Sequence, residues 1–351
     1  MAVVTTGFFD GVHLGHRHVL ETVVSSARER GEEAVVVTFW PHPRTVLQQD
    51  ARDFRLLTTL EEKKALLSAA GIDRIEVLPF TRHFAALTAA EYLELLRSRY
   101  GASLVIMGYD NRIGSDKLTA MEICGSPAVG FADPSQPCGW APPAFEGGSA
   151  PLLSPCGSRP ISPQDKPSDP ASAGRSDERL RIALVGECHS EPFCNSEPLC
   201  HSERSEESIS STQIRKALEA GDVESANAML GYDYGLYGVV VAGNRMGRTI
   251  GFPTANMQLY EPLKLVPANG VYAVDVEVTG NVFRGMCNIG TRPTVGGTAR
   301  TIETHILGFD EDIYGLSLRI RFLRRIRDER KFPSLDALRE QLEKDALICK
   351  K

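Results

Sequence analysis

Long apolar runs and an excess of basic residues are both missing from this chain of 351 residues. It contains no run of about eighteen apolar residues, the length that a membrane-spanning helix requires. A formal net charge of -6 argues against nucleic acid as a partner, because nucleic-acid-binding proteins carry a basic surface. The first residues also lack the basic start and apolar core of a secretory signal peptide. We therefore expect a cytoplasmic protein with neither nucleic-acid nor membrane partners, and the sequence leaves its oligomeric state open.

Cysteine is scarce outside one segment. Six of the eight cysteines and 13 of the 21 prolines lie within residues 119–208. There the strings C188-H-S-E-P-F, C194-N-S-E-P-L and C200-H-S-E-R-S repeat every six residues. Cysteine and histidine also occur together in zinc sites, but those sites favour cysteine pairs separated by about two to four residues. The composition predicts a disordered, low-complexity insertion over 119–208, in which R179-L-R-I-A-L-V is a candidate strand.

The first 118 residues alternate apolar strands with amphipathic helices, a pattern typical of parallel α/β sheets. A helix is predicted from about His16 to Arg30, with Gly31 beyond its end. Capping boxes predict two further helices, one starting at Thr59 and one at Thr88. The candidate strands are 3–6, 34–39, 74–78 and 103–108. We expect a Rossmann-like α/β domain with a parallel sheet, formed by 1–118 together with 209–232, a stretch that contains two predicted helices.

Beyond about Tyr237 the apolar period changes from helical to alternating. Several predicted strands separated by Gly, Pro and Asn turns indicate a small antiparallel β-barrel, which we assign to residues 235–351. The strands are 271–278, 282–289, 301–307 and 316–323. In the last of them Leu316, Leu318, Ile320 and Phe322 are expected on one face. A closing helix is predicted from about Ser334 to Leu347.

The string G7-F-F-D-G-V-H-L-G-H16 lies where the first strand ends and the first helix begins. Parallel sheets bind ligands at this position, and the first free N–H groups of a helix attract phosphate. Gly15 lets phosphate oxygens approach the backbone. His13 and His16 can donate hydrogen bonds to charge that builds on an α-phosphate and a leaving pyrophosphate. The motif predicts a nucleotide site that needs no protein nucleophile.

This motif resembles the nucleotidyltransferase signature of the prokaryotic bifunctional riboflavin kinase/FAD synthetase family. Three further strings match that family in the same order: T38-F-W-P-H-P43, G108-Y-D-N-R-I-G114 and S210-S-T-Q-I-R215. The resemblance implies that ATP and the FMN phosphate are surrounded by Asp10, His13, His16, His42, Asp110, Ser211, Thr212 and Arg215. Gly7 and Gly15 complete this predicted ATP and phosphate site. The alternatives are a turn role for His42 and helix capping for Ser211 and Thr212.

A second string, G243-N-R-M-G-R-T-I-G-F-P-T-A-N256, resembles the signature of riboflavin kinases. Its members Gly243, Gly247, Arg248, Gly251 and Pro253 are predicted to form a loop around the phosphates of ATP. Thr254 and Asn256 face the same way in an extended segment, so both can offer oxygen ligands to a magnesium ion that bridges those phosphates. The alternative is an ordinary glycine-rich turn of the barrel.

Phosphoryl transfer to an alcohol also needs a group that accepts the hydroxyl proton. Glu303 lies on a predicted strand whose Ile302, Thr304 and Ile306 take the opposite face. The surrounding segment, 303–315, resembles a family segment in which the first glutamate is the catalytic base. Gly308 stands where that family has aspartate. A solvated strand carboxylate is the alternative role for Glu303.

Together these motifs predict a bifunctional enzyme of FAD biosynthesis. It would phosphorylate riboflavin to FMN with Mg-ATP and then adenylylate FMN with ATP, giving FAD and pyrophosphate. One alternative is a monofunctional riboflavin kinase whose adenylyltransferase half is disabled by the insertion. The others are a flavin- or nucleotide-binding module without turnover, and a chain that folds poorly because 119–208 is a gene-level accident.

Overall fold

A computed structural model describes residues 1–47, 54–108, 111–125, 180–185, 209–243, 247, 250–294 and 297–350. Most of the predicted insertion, 126–179 and 186–208, lies outside these residues, as do the cysteine repeat and the predicted site residues Asp110 and Arg248. No helix in the described part of the chain combines the length and apolar character that crossing a bilayer requires.

The N-terminal half is built on a five-stranded sheet in the order β3-β2-β1-β4-β5. Its strands are β1 Ala2–Thr6, β2 Glu33–Trp40, β3 Arg74–Pro79, β4 Ala102–Gly108 and β5 Arg181–Val185. Every neighbouring pair is parallel, which confirms the predicted architecture. β1 and the interior of β2 are buried, as expected of strands covered on both faces. The strand order reverses between β1 and β4, which is where sheets of this type bind ligands.

Helices cover both faces of this sheet. They are α1 Leu14–Arg30, α2 Pro43–Leu47, α3 Leu60–Ala69 and α4 Ala89–Tyr100. Gly31 ends α1 in the left-handed region with φ 63°, where glycine lacks the Cβ clash of other residues. The predicted capping boxes are present at Thr59 and Thr88. α1 and α3 pack on one face of the sheet and α4 on the other, so the sheet lies between two apolar cores.

The edges of the predicted insertion belong to the fold: Ala120–Gly125 forms a helix where disorder was expected, and the candidate strand at the other edge is present. α5, Ala120–Gly125, begins after Thr119, whose backbone N–H donates to Glu122 Oε2 at 2.8 Å. Ile123 and Leu180 are 2% and 1% exposed and pack in the same core as α4. The candidate strand is confirmed as β5, which pairs with β4. Composition averaged over ninety residues concealed the short apolar stretch of α5, which packs against β5 at the sheet edge.

The C-terminal half is a closed antiparallel barrel in the order β10-β7-β6-β11-β8-β9, as predicted. Its strands are β6 Gly235–Val241, β7 Ala255–Leu259, β8 Gly270–Val278, β9 Asn281–Thr294, β10 Gly297–Ile306 and β11 Ser317–Arg327. In β11, Leu318 and Phe322 are fully buried, but Leu316 precedes the strand and is 41% exposed, contrary to expectation. The closing helix, α8 Leu335–Cys349, begins after the N-cap Ser334 and packs against β8 and β9.

Two helices connect the halves: α6, Ser211–Ala220, and α7, Val223–Leu230. Ile214 and Leu218 of α6 are fully buried in the same apolar cluster as barrel residues such as Leu236. The helix that follows Ser210 therefore packs directly on the barrel core. Its amino end, in contrast, faces the sheet of the N-terminal half.

Candidate functional site

A cavity of about 340 Å³ opens at the carboxyl ends of β1 and β4, where the strand order reverses. The first predicted motif, the loop after β2 and the start of α6 all line it. The predicted residues on its wall are Gly7, Asp10, His13, Gly15, His16, His42, Ser211, Thr212 and Arg215. The fold thus brings together motifs that the insertion separates along the chain.

Asp10 and Arg215, 205 residues apart, form an ion pair on this wall, with Asp10 buried and Arg215 half-buried. The Asp10 carboxylate, 4% exposed, also accepts hydrogen bonds from the backbone N–H groups of Leu57 at 3.1 Å and Thr58 at 3.0 Å. Arg215 in turn donates from Nε to the carbonyl oxygen of Arg55 at 3.0 Å. Because these protein donors occupy the carboxylate, the geometry favours a role for Asp10 in fixing Arg215 and the 57–58 turn.

The start of α6 is held by two different serines. Ser210 is the N-cap and forms a capping box with Gln213. Ser211 donates its hydroxyl to the carbonyl oxygen of Asp10 at 2.9 Å, which ties the helix to the first motif. The capping role that was the alternative for Ser211 and Thr212 thus belongs to Ser210. Thr212 lies in the first turn of α6 beside the cavity, where free N–H groups favour an anion.

His13 and His16 stack with ring centroids 3.7 Å apart. His13 is the N-cap of α1, and its Nδ1 accepts from the His16 backbone N–H at 3.4 Å. That bond leaves the proton of the neutral ring on Nε2. Burial lowers the pKa of His13 to about 4 and places the pKa of His16 well below its usual value. At neutral pH both rings are therefore uncharged. A side chain at Gly15 would crowd them, because its Cβ would lie 3.2 Å from His13 Nδ1.

His42 combines a turn role with a place on the cavity wall. Its Nδ1 accepts from the Arg44 backbone N–H at 3.2 Å, and its ring lies 4.4 Å from that of Phe54. Burial lowers the pKa of His42 to about 4. His42 therefore has the turn role that was the alternative, and its neutral imidazole also faces the predicted ligand site.

Sequence reasoning missed two polar residues at this site. Lys63 of α3 is 3% exposed, and burial lowers its pKa to about 8 against the opposing effect of the Asp10 carboxylate. A single lysine in an amphipathic helix gives no signal, because most such side chains are solvated. Asn111 lines the cavity and donates to the Thr6 carbonyl oxygen at 2.8 Å. Its membership of the G108–G114 string was a usable signal.

The second predicted site lies on the barrel, where β10 pairs with β7. Glu303 stands directly opposite Asn256 in this register. The Thr254 hydroxyl donates to Glu303 Oε2 at 3.5 Å. Ile302, Thr304 and Ile306 are buried while Glu303 is half-buried, which confirms the predicted alternation. The carboxylate and the two predicted oxygen ligands therefore meet at one place.

Three contacts fix the chain around Thr254 and Asn256. Gly243 lies so near the Asn256 side chain that an added Cβ would be 2.6 Å from its Cγ. Phe252 N–H donates to the Gly247 carbonyl oxygen at 2.8 Å, closing the turn that contains Gly251. His305 Nδ1 forms a hydrogen bond with the Pro253 carbonyl oxygen at 2.8 Å. Sequence reasoning assigned no role to His305, although it alternates onto the face of Glu303.

Two family models match this chain, one over each half. Residues 1–128 match the family described as FAD synthetase, and residues 230–351 match the family described as riboflavin kinase. A structure described as a macrolide-efflux protein from Streptococcus pneumoniae superposes with a TM-score of 0.76 at 29% identity, covering 100% of this chain and 94% of that one. Neither family description mentions efflux, so we apply the efflux description only to the Streptococcus pneumoniae protein.

Curated relatives match over nearly their whole length. The bifunctional riboflavin kinase/FMN adenylyltransferase of Bacillus subtilis is 32% identical over 98% of this chain and 90% of its own length. The protein of the same description from Escherichia coli K12 is 31% identical over 99% of this chain and 91% of its own. The chain belongs to the bifunctional riboflavin kinase/FMN adenylyltransferase family.

Proposed function

We propose that this chain phosphorylates riboflavin to FMN and then adenylylates FMN to FAD, consuming one ATP in each step. Its partners are then the small molecules riboflavin, FMN, FAD and ATP, and its place of action is the cytoplasm. One observation carries the second activity: the ion pair of Asp10 and Arg215 joins two motifs that lie on either side of the insertion. An insertion that disabled this half by moving its motifs apart would not leave them lining one cavity.

In the kinase step, Glu303 accepts the proton of the riboflavin 5′-hydroxyl. The hydroxyl oxygen forms a bond to the γ-phosphorus of ATP, and the bond from that phosphorus to the β–γ bridging oxygen breaks, releasing ADP. A carboxylate can accept this proton, and proton removal by a positioned base typically raises the reaction rate by about 10²–10⁴-fold. Thr254, 3.5 Å from Glu303 Oε2, fixes its position relative to the phosphate loop.

The residues beside Glu303 fit a magnesium ion. Thr254 and Asn256 offer a hydroxyl and an amide oxygen, which are hard donors of the kind that magnesium prefers. The missing Cβ of Gly243 leaves room beside the Asn256 amide. Within the described ranges no group of three acidic, histidine or cysteine side chains could hold a metal. Thr254 and Asn256 would hold the ion together with the ATP phosphates, and a bound ion would neutralise charge on those phosphates. Gly247, Arg248, Gly251 and Pro253 complete the proposed ATP loop.

In the adenylyl transfer step, a phosphate oxygen of FMN attacks the α-phosphorus of ATP. The bond from that phosphorus to the α–β bridging oxygen breaks and pyrophosphate leaves. The Nε2–H of neutral His13 donates to oxygens on which negative charge builds, and His16 stacks beneath it. Arg215 supplies the positive charge, with Ser211 and Thr212 at the start of α6. Gly7 and Gly15 keep side chains away from the phosphates.

A flavin assay tests both activities. Purified protein is incubated with riboflavin, ATP and magnesium, and the flavins are separated over time. We expect FMN to appear first and FAD to follow, and FAD to form from FMN supplied directly. Accumulation of FMN without FAD would support the monofunctional alternative, and no FMN at all would refute the kinase assignment. Omitting magnesium in the presence of a chelator should abolish FMN formation.

A further inference from the structure

Lys264, between β7 and β8 in the kinase half, is buried against the N-terminal half. Only 4% of the residue is exposed. Its Nζ donates to the Leu57 carbonyl oxygen at 2.7 Å and to Glu62 Oε2 at 2.5 Å, and it lies 4.7 Å from the Tyr234 ring centroid. The ammonium of one half is therefore bound mainly by oxygen atoms of the other.

The backbone reinforces this contact. Leu56 donates its N–H to the Leu263 carbonyl oxygen at 2.8 Å, and Leu265 donates to the Leu56 carbonyl oxygen at 2.8 Å. These two bonds form a parallel bridge between Leu56 and Lys264. Residues 56 and 57 are thus held by backbone and side chain from the kinase side.

The adenylyltransferase cavity holds the same segment from its other side. Asp10 accepts from the N–H groups of Leu57 and Thr58, and Arg215 donates to the Arg55 carbonyl oxygen. The Arg215 guanidinium also lies 5.1 Å from the Phe54 ring centroid. Residues 54–58, here called the bridging segment, form a single layer of chain between Lys264 and Arg215.

We propose that Lys264 is a positioning residue for the FMN adenylyltransferase site, acting through the bridging segment on Asp10 and Arg215. This inference rests on the proposed function of that site. Without the ammonium, the Leu57 carbonyl loses its side-chain donor, and the half-buried Glu62 carboxylate keeps the Thr59 N–H but loses its cation. The bridging segment then loses the side-chain contact that holds it to the kinase half. The contacts of Lys264 include none of the proposed kinase residues Thr254, Asn256 and Glu303, so the kinase step is expected to continue.

Lys264→Met tests this, because methionine keeps most of the stem and removes the charge. Both reactions are measured on one preparation. We expect the KM for ATP in FAD formation to rise by about tenfold, the effect of losing about 1.4 kcal/mol of binding free energy when Arg215 and Asp10 are no longer held in place. The riboflavin kinase rate and its KM for ATP should remain within about twofold, since that site is untouched. A loss of folded protein alone would lower kcat at constant KM, and that result would overturn the proposal.

Two further variants keep the test decisive. Lys64→Met changes an exposed lysine of α3 and should leave both reactions unchanged. Should Lys264→Met fail to fold, Glu62→Gln weakens the same pair at constant size and should raise the same KM. An unchanged KM for ATP in either folded variant overturns the inference.

Amide hydrogen exchange separates this inference from the proposed function. If the wild-type chain forms no FAD, the proposed adenylyltransferase function fails, whatever the role of Lys264. Exchange at Leu57 and Thr58 still reports on the bridging segment. Faster exchange at these amides in Lys264→Met, or in Glu62→Gln, supports the inference, and equal exchange overturns it.

Discussion

Replacing Gly243 by alanine should separate activity from stability in the kinase site. An ideal Cβ at Gly243 lies 2.6 Å from Asn256 Cγ and 3.0 Å from Oδ1, and nearer still to Nδ2. Ordinary contacts of this kind begin at 3.4 Å. The amide group must therefore move by roughly 1 Å or rotate, which takes its oxygen away from the proposed magnesium position.

The two consequences differ in size. Asn256 is half-buried and its amide is the end of a flexible side chain, so the cost to folding is about 1 kcal/mol, that of an off-rotamer torsion. A displacement of about 1 Å in a positioned catalytic group, in contrast, lowers the rate by about a hundredfold. We expect a near-native protein that has lost most of its kinase activity.

The assay uses the second reaction as an internal reference. FMN formation from riboflavin should fall by about a hundredfold in Gly243→Ala, while FAD formation from supplied FMN and the thermal unfolding transition stay close to wild type. Ala242→Ser is the matched control, because Ala242 is the exposed neighbour. FMN formation within about threefold of wild type would refute the reasoning, since the rate of the kinase step would then not depend on the position of the Asn256 amide.

Three more variants test the other proposed roles. Glu303→Gln removes the proton acceptor, so kcat for FMN formation should fall by about 10²–10⁴-fold, whereas an equal loss of FAD formation from FMN would contradict that role. Asp10→Asn turns an amide donor toward the N–H of Leu57 or the guanidinium of Arg215. This variant should lose about 2–4 kcal/mol of unfolding free energy and most FAD formation. Wild-type thermal unfolding and wild-type FAD formation would argue against the proposed role of Asp10. His13 has a pKa of about 4 in the fold against 6.5 when unperturbed, so only the unfolded chain binds its proton between these values. Protonation of the unfolded chain therefore lowers the free energy of unfolding by roughly 3 kcal/mol as the pH falls from about 6.5 to about 4, and this loss is absent above pH 6.5. Thermal unfolding of wild type and His13→Gln over that range should diverge, and parallel curves would count against this prediction.

Local patterns were enough to predict most secondary structure. The apolar run in β2 and the capping boxes at Thr59 and Thr88 depend only on neighbouring residues, and each formed as expected. Leu316 was misplaced because alternation cannot indicate where a strand begins. β5 was visible as a candidate strand because its apolar run is locally distinct, whereas the short apolar stretch of α5 lies in a proline-rich context and gave no such signal.

The sequence predicted which residues belong to each candidate site better than it predicted which residues contact them. Resemblance assembled Asp10 and Arg215 into one site, but the donors that occupy the Asp10 carboxylate come from a turn 47 residues away. Lys63 and Lys264 left no trace in the sequence, because lysine is usually solvated and their burial follows from how the two halves meet. Contacts of this kind arise from three-dimensional packing and have no short-range signature.

The packing of α6 and α7 on the barrel has a consequence for synthesis. The strands of the parallel sheet are synthesised first, but Ile214 and Leu218 gain the barrel part of their apolar cluster only after the last barrel strand, β11, has been made. Until then the apolar face of the helix that carries Arg215 is covered only in part, by α7 and Leu57. The position of Arg215 therefore gains its full apolar support only when the barrel folds, which ties completion of the N-terminal site to folding of the C-terminal half.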